Sequence, residues 1–459
     1  MGTSQGTVFR QLFGTDGIRG VAGEPPLDAR TAHALGVALG KWAQRAAQKE
    51  LSEGRAEVVI GMDTRESGPW LAAQVAGGLA RSGVAARFAG VITTPGVAYL
   101  TRTGHFVAGV MISASHNPYH DNGLKVISHS GYKLADQVEM ELEQLMGEWL
   151  EKEEAAEPKQ LRVDAALDNL YTDYLAETVN GKFPFRVAVD CANGSAAEVA
   201  PRLLESLGLQ VDWICASPDG RNINLNCGSL YLETLQRRVK ETKADMGIAF
   251  DGDADRALFV SPAGEVVDGD AVLFLAGSAL KRDGKLPGDI VVATVMSNLG
   301  LEKALEGRGI RMLRTPVGDK YVLEEMLKRG AVLGGEQSGH VIFTEYATTG
   351  DGLLTALRVL EIVRDSEQSL DELIEAVKKF PQKLVNVRVK HKRPLAELHR
   401  VQAEIEAAER EFVESGRVVV RFSGTEPLAR VMIEAESEAQ VEKWTGRIAD
   451  AIRAELGAV

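Results

Sequence analysis

Ser115 stands in the stretch Gly109-Val-Met-Ile-Ser-Ala-Ser-His-Asn-Pro-Tyr-His-Asp-Asn-Gly-Leu-Lys125, directly after an apolar run. A hydroxyl, an imidazole from His116, an amide from Asn117 and an ammonium from Lys125, crowded this closely, suit a nucleophilic or phosphorylated serine. Ser, Asn and Pro also populate ordinary surface turns, so this stretch alone leaves both readings open. Asp251-Gly-Asp-Ala-Asp-Arg256 places carboxylates at alternate positions after the apolar run Met246 to Phe250. Carboxylates that close repel one another, and a fold tolerates them best around a hard cation with oxygen ligands. A calcium EF-hand loop needs Gly at its sixth position and Glu at its twelfth, where this chain has Arg256 and Pro262. Magnesium fits better, since it takes a few carboxylates together with substrate phosphate oxygens. The alternative is a solvated acidic turn.

Two further clusters have the same character. Gly334-Gly-Glu-Gln-Ser-Gly-His340 follows the apolar run Ala331 to Leu333 and joins a carboxylate, an amide, a hydroxyl and an imidazole to backbone that a ligand can approach. Arg421-Phe-Ser-Gly-Thr-Glu-Pro427, with Arg430 close behind, links two strand-like runs, Val418 to Val420 and Val431 to Ile433. Its hydroxyls, backbone N–H groups and guanidinium groups suit an anion.

The elements that must position these loops alternate. Val58 to Met62, Val107 to Ile112, Arg186 to Asp190, Gln210 to Cys215, Met246 to Phe250, Ile290 to Val295 and Ile310 to Arg314 read as strands. Pro69 to Ser82, Ala196 to Leu207, Asn298 to Glu306 and Lys320 to Arg329 read as helices. So does Leu134 to Leu150, whose face of Leu134, Val138, Leu142, Leu145 and Trp149 is core packing. A strand ending in a polar turn presents its last side chains at the carboxyl edge of a sheet, where α/β proteins hold ligands. Charged Glu151 to Pro158 reads as a linker, and Phe380-Pro381 as a second break. The divisions expected are 1–160, 161–261, 262–380 and 381–459: three similar mixed α/β domains and an α+β domain. In the last, Leu384 to Val389 is a strand, and Leu395 to Phe412 and Val441 to Leu456 are helices. A site drawing one loop from each would lie where the domains meet.

At 459 residues the chain has room for several cores, and 45% hydrophobic with 25% charged residues is a globular composition. A net charge of −13 argues against a nucleic-acid surface, which would need a basic face. It also means that an anionic substrate needs locally concentrated positive charge, from Arg19, Lys125, Arg256, Arg421 and Arg430 with a metal. Cys191, Cys215 and Cys227 show no C-x-x-C spacing and read as small buried residues in a reducing compartment. Neither a signal-peptide core at the amino end nor an apolar run of about 18 residues occurs, so a cytoplasmic protein with no membrane partner is expected. G-x-S-x-G and G-x-x-x-x-G-K-[ST] are also missing, which argues against a serine hydrolase and a P-loop kinase.

The chain resembles the α-D-phosphohexomutases, and within them the branch acting on glucosamine phosphates. The matching pieces are Phe13-Gly-Thr-Asp-Gly-Ile-Arg-Gly20, Ile112 to Pro118, Asp251 to Arg256, Gly335 to His340, Thr348-Thr-Gly-Asp-Gly352 and Arg421 to Pro427. They run almost end to end in the family's order. The resemblance implies four domains around a central cleft, the last one mobile, and possession of a homodimer. It implies conversion of glucosamine 6-phosphate into glucosamine 1-phosphate by a phosphoserine at Ser115 and a glucosamine 1,6-bisphosphate intermediate. Magnesium would be held by Asp251, Asp253 and Asp255 and by Ser115 through its phosphate. Arg19, His116, Lys125 and Arg256 take the catalytic positions, although His116 is expected to orient the loop and face away. Glu336, Gln337, Ser338 and His340 would bind the sugar, and Arg421, Ser423, Gly424, Thr425 and Arg430 the distal phosphate.

Three departures from the family pattern bear on this. Ala254 replaces a common Gly and costs about 1 kcal/mol if that position needs positive φ. Lys320 stands for an arginine and loses its fork. Gln337 offers an amide near a polar 2-substituent, where relatives acting on mannose or glucose phosphates more often have an apolar residue. The alternatives are a phosphomannomutase/phosphoglucomutase, separable by turnover of mannose 1-phosphate, and a non-catalytic sugar-phosphate-binding protein. The latter would be expected to have lost Ser115 or one of the three aspartates, and all are present.

Overall fold

The computed structural model describes residues 12–14, 16–50, 56–152, 154–167, 169–413, 415–423 and 427–457. Its first sheet contains β1 (Ile18–Val21), β2 (Glu57–Met62), β3 (Ala85–Val91), β4 (Ala108–Ile112) and β5 (Asp121–Ser128), in the order β1-β5-β4-β2-β3. β4, β2 and β3 are parallel, whereas β5 turns back antiparallel to β4 and takes β1 on its outer edge. The second sheet repeats this plan with β6 (Arg186–Asp190), β7 (Gln210–Ile214), β8 (Met246–Phe250), β9 (Ala257–Val260) and β10 (Val266–Val267), ordered β10-β9-β8-β6-β7. The third has β11 (Ile290–Thr294), β12 (Arg311–Thr315), β13 (Leu333–Gly335) and β14 (Val341–Phe343), with β13 parallel to β11 and antiparallel to β14. In all three, an apolar central strand bends into an antiparallel neighbour, and the polar loop at that bend is the one singled out by its residue types. All five residues of β4 and of β8 are buried. Such strands read as continuous apolar runs because helices cover both faces.

The fourth unit is the antiparallel sheet β15 (Gln382–Arg388), β16 (Gly416–Phe422) and β17 (Leu428–Ala435), ordered β15-β17-β16. Helices His399–Phe412 and Glu438–Leu456 pack with it around Phe412, Trp444 and Ile448. This is the α+β layer expected. The second and third units share one continuous apolar core.

Three sequence readings need correction. The expected boundary at 261/262 cuts the β9–β10 hairpin, because a tight turn closing on Gly264 (φ +88°) resembles a break between units. Leu395 to Phe412 is not one helix: a short 3-10 turn covers Leu395–Glu397, and buried Leu398, with a non-helical ψ of 83°, separates it from the helix His399–Phe412. The strand expected at Ala331 to Leu333 sits later, because Ala331 N–H still closes the preceding helix on Met326 O, and the strand runs Leu333–Gly335 with two glycines in it. A Cβ at Gly334 would approach Met326 Sδ to 2.5 Å. Lys125 lies on β5.

None of the cysteines forms a disulfide; Cys191 and Cys227 are buried and Cys215 is half-buried. Cys215 and Cys227 do gather around Asp190. Both oxygens of that carboxylate already accept backbone N–H groups, from Ala192 (2.8 Å) and Gly228 (3.0 Å).

Candidate active site

Ser115 follows β4 at the sheet's carboxyl edge with φ +53°, a left-handed conformation rare for a residue with a Cβ. Its N–H donates to Ser113 Oγ (2.9 Å), and its own hydroxyl donates to Asp251 Oδ2 at 2.5 Å. The serine loop and the acidic loop therefore meet across the first and second units. They meet backbone to backbone, since a Cβ on Gly252 would lie 2.4 Å from Ser115 O. His116 Nδ1 is 3.3 Å from Ser115 Oγ and the ring lines the cleft, so it does not face away as expected. Burial, then the charges of Arg256 and Arg19, push its pKa down to about 4 and keep the ring neutral.

Asp251, Asp253 and Asp255 are all buried, and an oxygen from each lies within 4.8 Å of the others. Ala254 between them has φ +51°, the conformation on which its cost depended. Burial and the charges of Asp255 and Asp253 hold the Asp251 carboxyl well above the usual carboxylate range. Burial also opposes ionisation of Asp255, but His340, Lys125 and Arg256 outweigh it and hold that carboxyl low. Asp253 Oδ1 and Asp255 Oδ1 are buried without a hydrogen-bond partner among the described residues. Buried carboxylates arranged this way suit a hard cation, and the donor set fits magnesium.

Positive charge arrives from Lys125 and Arg19 on strands and from Arg256 at the end of the acidic loop. Lys125 Nζ donates to Asp253 Oδ2 (2.7 Å) and pairs with Asp16 Oδ2 (3.1 Å). Burial favours the neutral amine, but Asp16 and Asp253 prevail and hold Lys125 charged, its pKa raised. Arg19, on β1, pairs with Asp16 and reaches Ala114 O at 3.5 Å. Arg256 donates its backbone N–H to Asp251 Oδ1 (3.2 Å), and the residue lines the cleft.

The third unit's loop divides. Glu336 accepts from Gly318 N–H (3.1 Å) and lines the cleft, as does His340, whose Nδ1 lies 3.5 Å from Asp255 Oδ2. Gln337 turns away: its amide donates to Asp270 Oδ2 (3.2 Å) behind the loop, so the structure does not bring it to the site. The backbone explains this, because Gln337 O accepts from Gly269 N–H and pins that peptide against the helix Gly269–Arg282. Ser338 Oγ is buried without a partner among the described residues and is not part of the cleft wall. Together the loops enclose a cleft of about 550 Å³. Arg421, Ser423 and Arg430 do not contribute to its wall. Arg421 and Arg430 face each other across β16 and β17, and burial, then Arg430, lowers the Arg421 pKa. Gly424 and Thr425 lie outside the described residues.

Several residues outside the expected site set also gather here. Lys133 Nζ bridges Asp16 Oδ1 (2.7 Å) and Asp319 Oδ2 (2.6 Å), tying the first unit to the third across the cleft. Thr94 donates its hydroxyl to Asp253 Oδ2. Lys320 pairs with Asp136 at the cleft rim. Asp351, within the Thr348 to Gly352 motif, caps the helix Gly352–Ser366 and accepts from Tyr171 Oη (2.7 Å).

Four regions match the phosphoglucomutase/phosphomannomutase domains in order: alpha/beta/alpha domain I over 10–153, domain II over 169–264, domain III over 268–380 and the C-terminal domain over 384–451. The chain belongs to this family, within the α-D-phosphohexomutase superfamily. It is 59% identical over 449 residues to a phosphoglucosamine mutase of Solibacter usitatus, covering 98% of this chain and 99% of the relative. A phosphoglucosamine mutase of Koribacter versatilis is 53% identical, with 98% of each covered. Among solved structures, a phosphoglucomutase/phosphomannomutase family protein of Burkholderia thailandensis superimposes with a TM-score of 0.80 at 26% identity, covering 98% of both chains. The fold also matches an Aspergillus fumigatus N-acetylphosphoglucosamine mutase in complex with GlcNAc-6P and magnesium (TM-score 0.67, 20% identity, 97% of this chain and 96% of that one).

Proposed function

We propose that the chain is an isomerase that interconverts glucosamine 6-phosphate and glucosamine 1-phosphate, with Ser115 carrying the transferred phosphoryl group. The single observation that carries the mechanism is the 2.5 Å contact between Ser115 Oγ and Asp251, inside a cleft walled by three units. The reading is supported by full-length relatives named phosphoglucosamine mutase.

In the forward direction the bond from phosphorus to Ser115 Oγ breaks as a bond to O1 of glucosamine 6-phosphate forms. The O1 proton leaves to a base and Oγ gains one, so the enzyme returns to free serine and the sugar becomes a 1,6-bisphosphate. After the sugar turns around, Ser115 Oγ attacks the 6-phosphoryl group, the bond to O6 breaks, and glucosamine 1-phosphate remains. Such transfer needs alignment and charge neutralisation more than covalent help. Lys125, held protonated by Asp16 and Asp253, supplies positive charge and a proton for the departing oxygen. His116, neutral and 3.3 Å from Oγ, is placed to accept a proton. Arg19 and Arg256 face the equatorial oxygens. Glu336 and His340 hold sugar hydroxyls, and Arg421, Ser423 and Arg430 grip the distal phosphate when the fourth unit closes. Asp251, Asp253 and Asp255 would hold magnesium, whose chemistry when bound is to neutralise charge on phosphoryl oxygens. The same reading expects a homodimer working in the cytoplasm. No helix among the described residues is long and apolar enough to cross a membrane.

Ser115→Ala tests this directly. Turnover of glucosamine 6-phosphate should fall to background with the fold retained by circular dichroism. The wild type should turn over glucosamine 6-phosphate faster than mannose 1-phosphate. Retained activity in the alanine variant would refute the covalent route.

A further inference from the structure

The geometry points to Arg65 as the positioning residue that holds Ser115 in its working conformation, an inference that rests on Ser115 being the phosphoryl carrier. Arg65 lies just beyond β2, in Met62-Asp63-Thr64-Arg65, and is only 1% exposed. Its guanidinium meets the carbonyls of the serine turn: Nη2 donates to Ser115 O (2.8 Å) and Asn117 O (2.9 Å), and Nη1 to Asp121 O (2.9 Å) and Pro118 O. Nε pairs with Asp63 Oδ2 at 2.9 Å.

The same carboxylate closes a ring around the nucleophile. Asp63 Oδ2 accepts from Ser113 Oγ (2.6 Å), Ser113 Oγ accepts from Ser115 N–H (2.9 Å), and Arg65 returns to Ser115 O. Both polar groups of the Ser115 backbone are thus tied to one buried ion pair. Asn224, from the second unit, reinforces it by donating Nδ2 to Ser115 O (2.9 Å) and Asn117 O (3.0 Å).

The turn requires such a device. Ser115 at φ +53° lies beyond the end of β4, so its buried carbonyl has left the sheet ladder and is met by side-chain donors instead. Without converging donors the turn would relax toward an ordinary conformation and swing Oγ away from Asp251. Only a planar fork with five N–H groups can serve four carbonyls and a carboxylate at once; lysine, with three donors, cannot. Arg65 is neutralised by Asp63 and does not line the cleft, so it acts on the geometry of Ser115 and not on the sugar phosphate. Losing it should lower kcat and leave KM in place.

The experiment compares full-length wild type, Arg65→Lys, Asn224→Ala and Ser115→Ala. Folding is followed by circular dichroism and thermal melting, and kcat and KM on glucosamine 6-phosphate are measured with bisphosphate present. Arg65→Lys should lose about 100-fold in kcat, and Asn224→Ala about 10-fold, each with KM within about 3-fold of wild type. A purely structural role would lower the melting temperature yet leave kcat per folded molecule intact. Folded Arg65→Lys with unchanged kcat, or with a change in KM alone, overturns the proposal. Should that variant not fold, Asn224→Ala decides by the same criterion. Ser115→Ala separates the two claims: if it stays active the phosphoserine reading fails, whereas if it is inactive while Arg65→Lys is normal, only the positioning role fails.

Discussion

Ser115 and Ala254 are held at φ +53° and +51°, and both sit at loop centres where catalytic groups must project. Strain of this kind persists only where surrounding contacts overdetermine it. For Ser115 those contacts are buried hydrogen bonds; for Ala254 they are backbone contacts, since its O accepts from Gly352 N–H (3.0 Å). Ala254 contributes no functional atom, so its strain is removable. Ala254→Gly should stabilise the protein by about 0.5 to 1 kcal/mol with little change in kcat, as read by urea unfolding and steady-state rates. A destabilised variant would show that the left-handed angle at Ala254 is not strained. Lys125 carries the complementary lesson about charge. A lysine buried beside two carboxylates stays protonated, so its value lies in its positive charge and its proton.

At the level of elements, one arrangement occurs three times: central apolar strand, polar loop, antiparallel return. That is why so much could be read from residue types alone. Apolar runs before Ser115, Asp251 and Glu336 marked the central strands, and the polar residues after them marked the carboxyl edge. Two strands at these bends were harder to see, the return strand β5 and the central strand β13. β5 carries Lys125 amid Asn and Gly, and β13 contains two glycines, patterns that signal turns in isolation and become strands only through packing. The link among Asp16, Lys133 and Asp319 was illegible for another reason, although Asp16 itself sits in the Phe13 to Gly20 motif. Their role depends on distances between units far apart in sequence, which no local pattern encodes. Gln337 stood out by type, yet its peptide is pinned so that the amide points inward. Close approach of two of these loops gives a sharp expectation for Gly252→Ala. Its new Cβ would meet Ser115 O at 2.4 Å and Asn224 Nδ2 at 2.9 Å. Pushing the loops apart should cost about 1 to 3 kcal/mol and at least about 10-fold in kcat, whereas a variant with normal rates would mean the contact is dispensable.

Across the whole molecule, three units build the cleft and the fourth holds on through a small polar latch. Arg417 on β16 donates to Val295 O (3.1 Å) and Ser297 O (2.7 Å) of the third unit and pairs with buried Glu434. Glu434 in turn accepts from Leu299 N–H (3.0 Å). Glu434→Ala leaves the guanidinium without its counter-charge and should destabilise by about 3 kcal/mol. Calorimetry should then resolve an earlier transition for residues 381–459, and a single unshifted transition would contradict the latch. The central claim concerns movement of a phosphoryl group through Ser115, and a label follows it most directly. Protein incubated with 32P-labelled glucosamine 1,6-bisphosphate is digested and mapped, then chased with unlabelled glucosamine 6-phosphate. The account predicts label in the peptide containing Ser115, removed by the chase into sugar phosphate and not into free phosphate. Label on another residue, or label that the chase cannot displace, would contradict it.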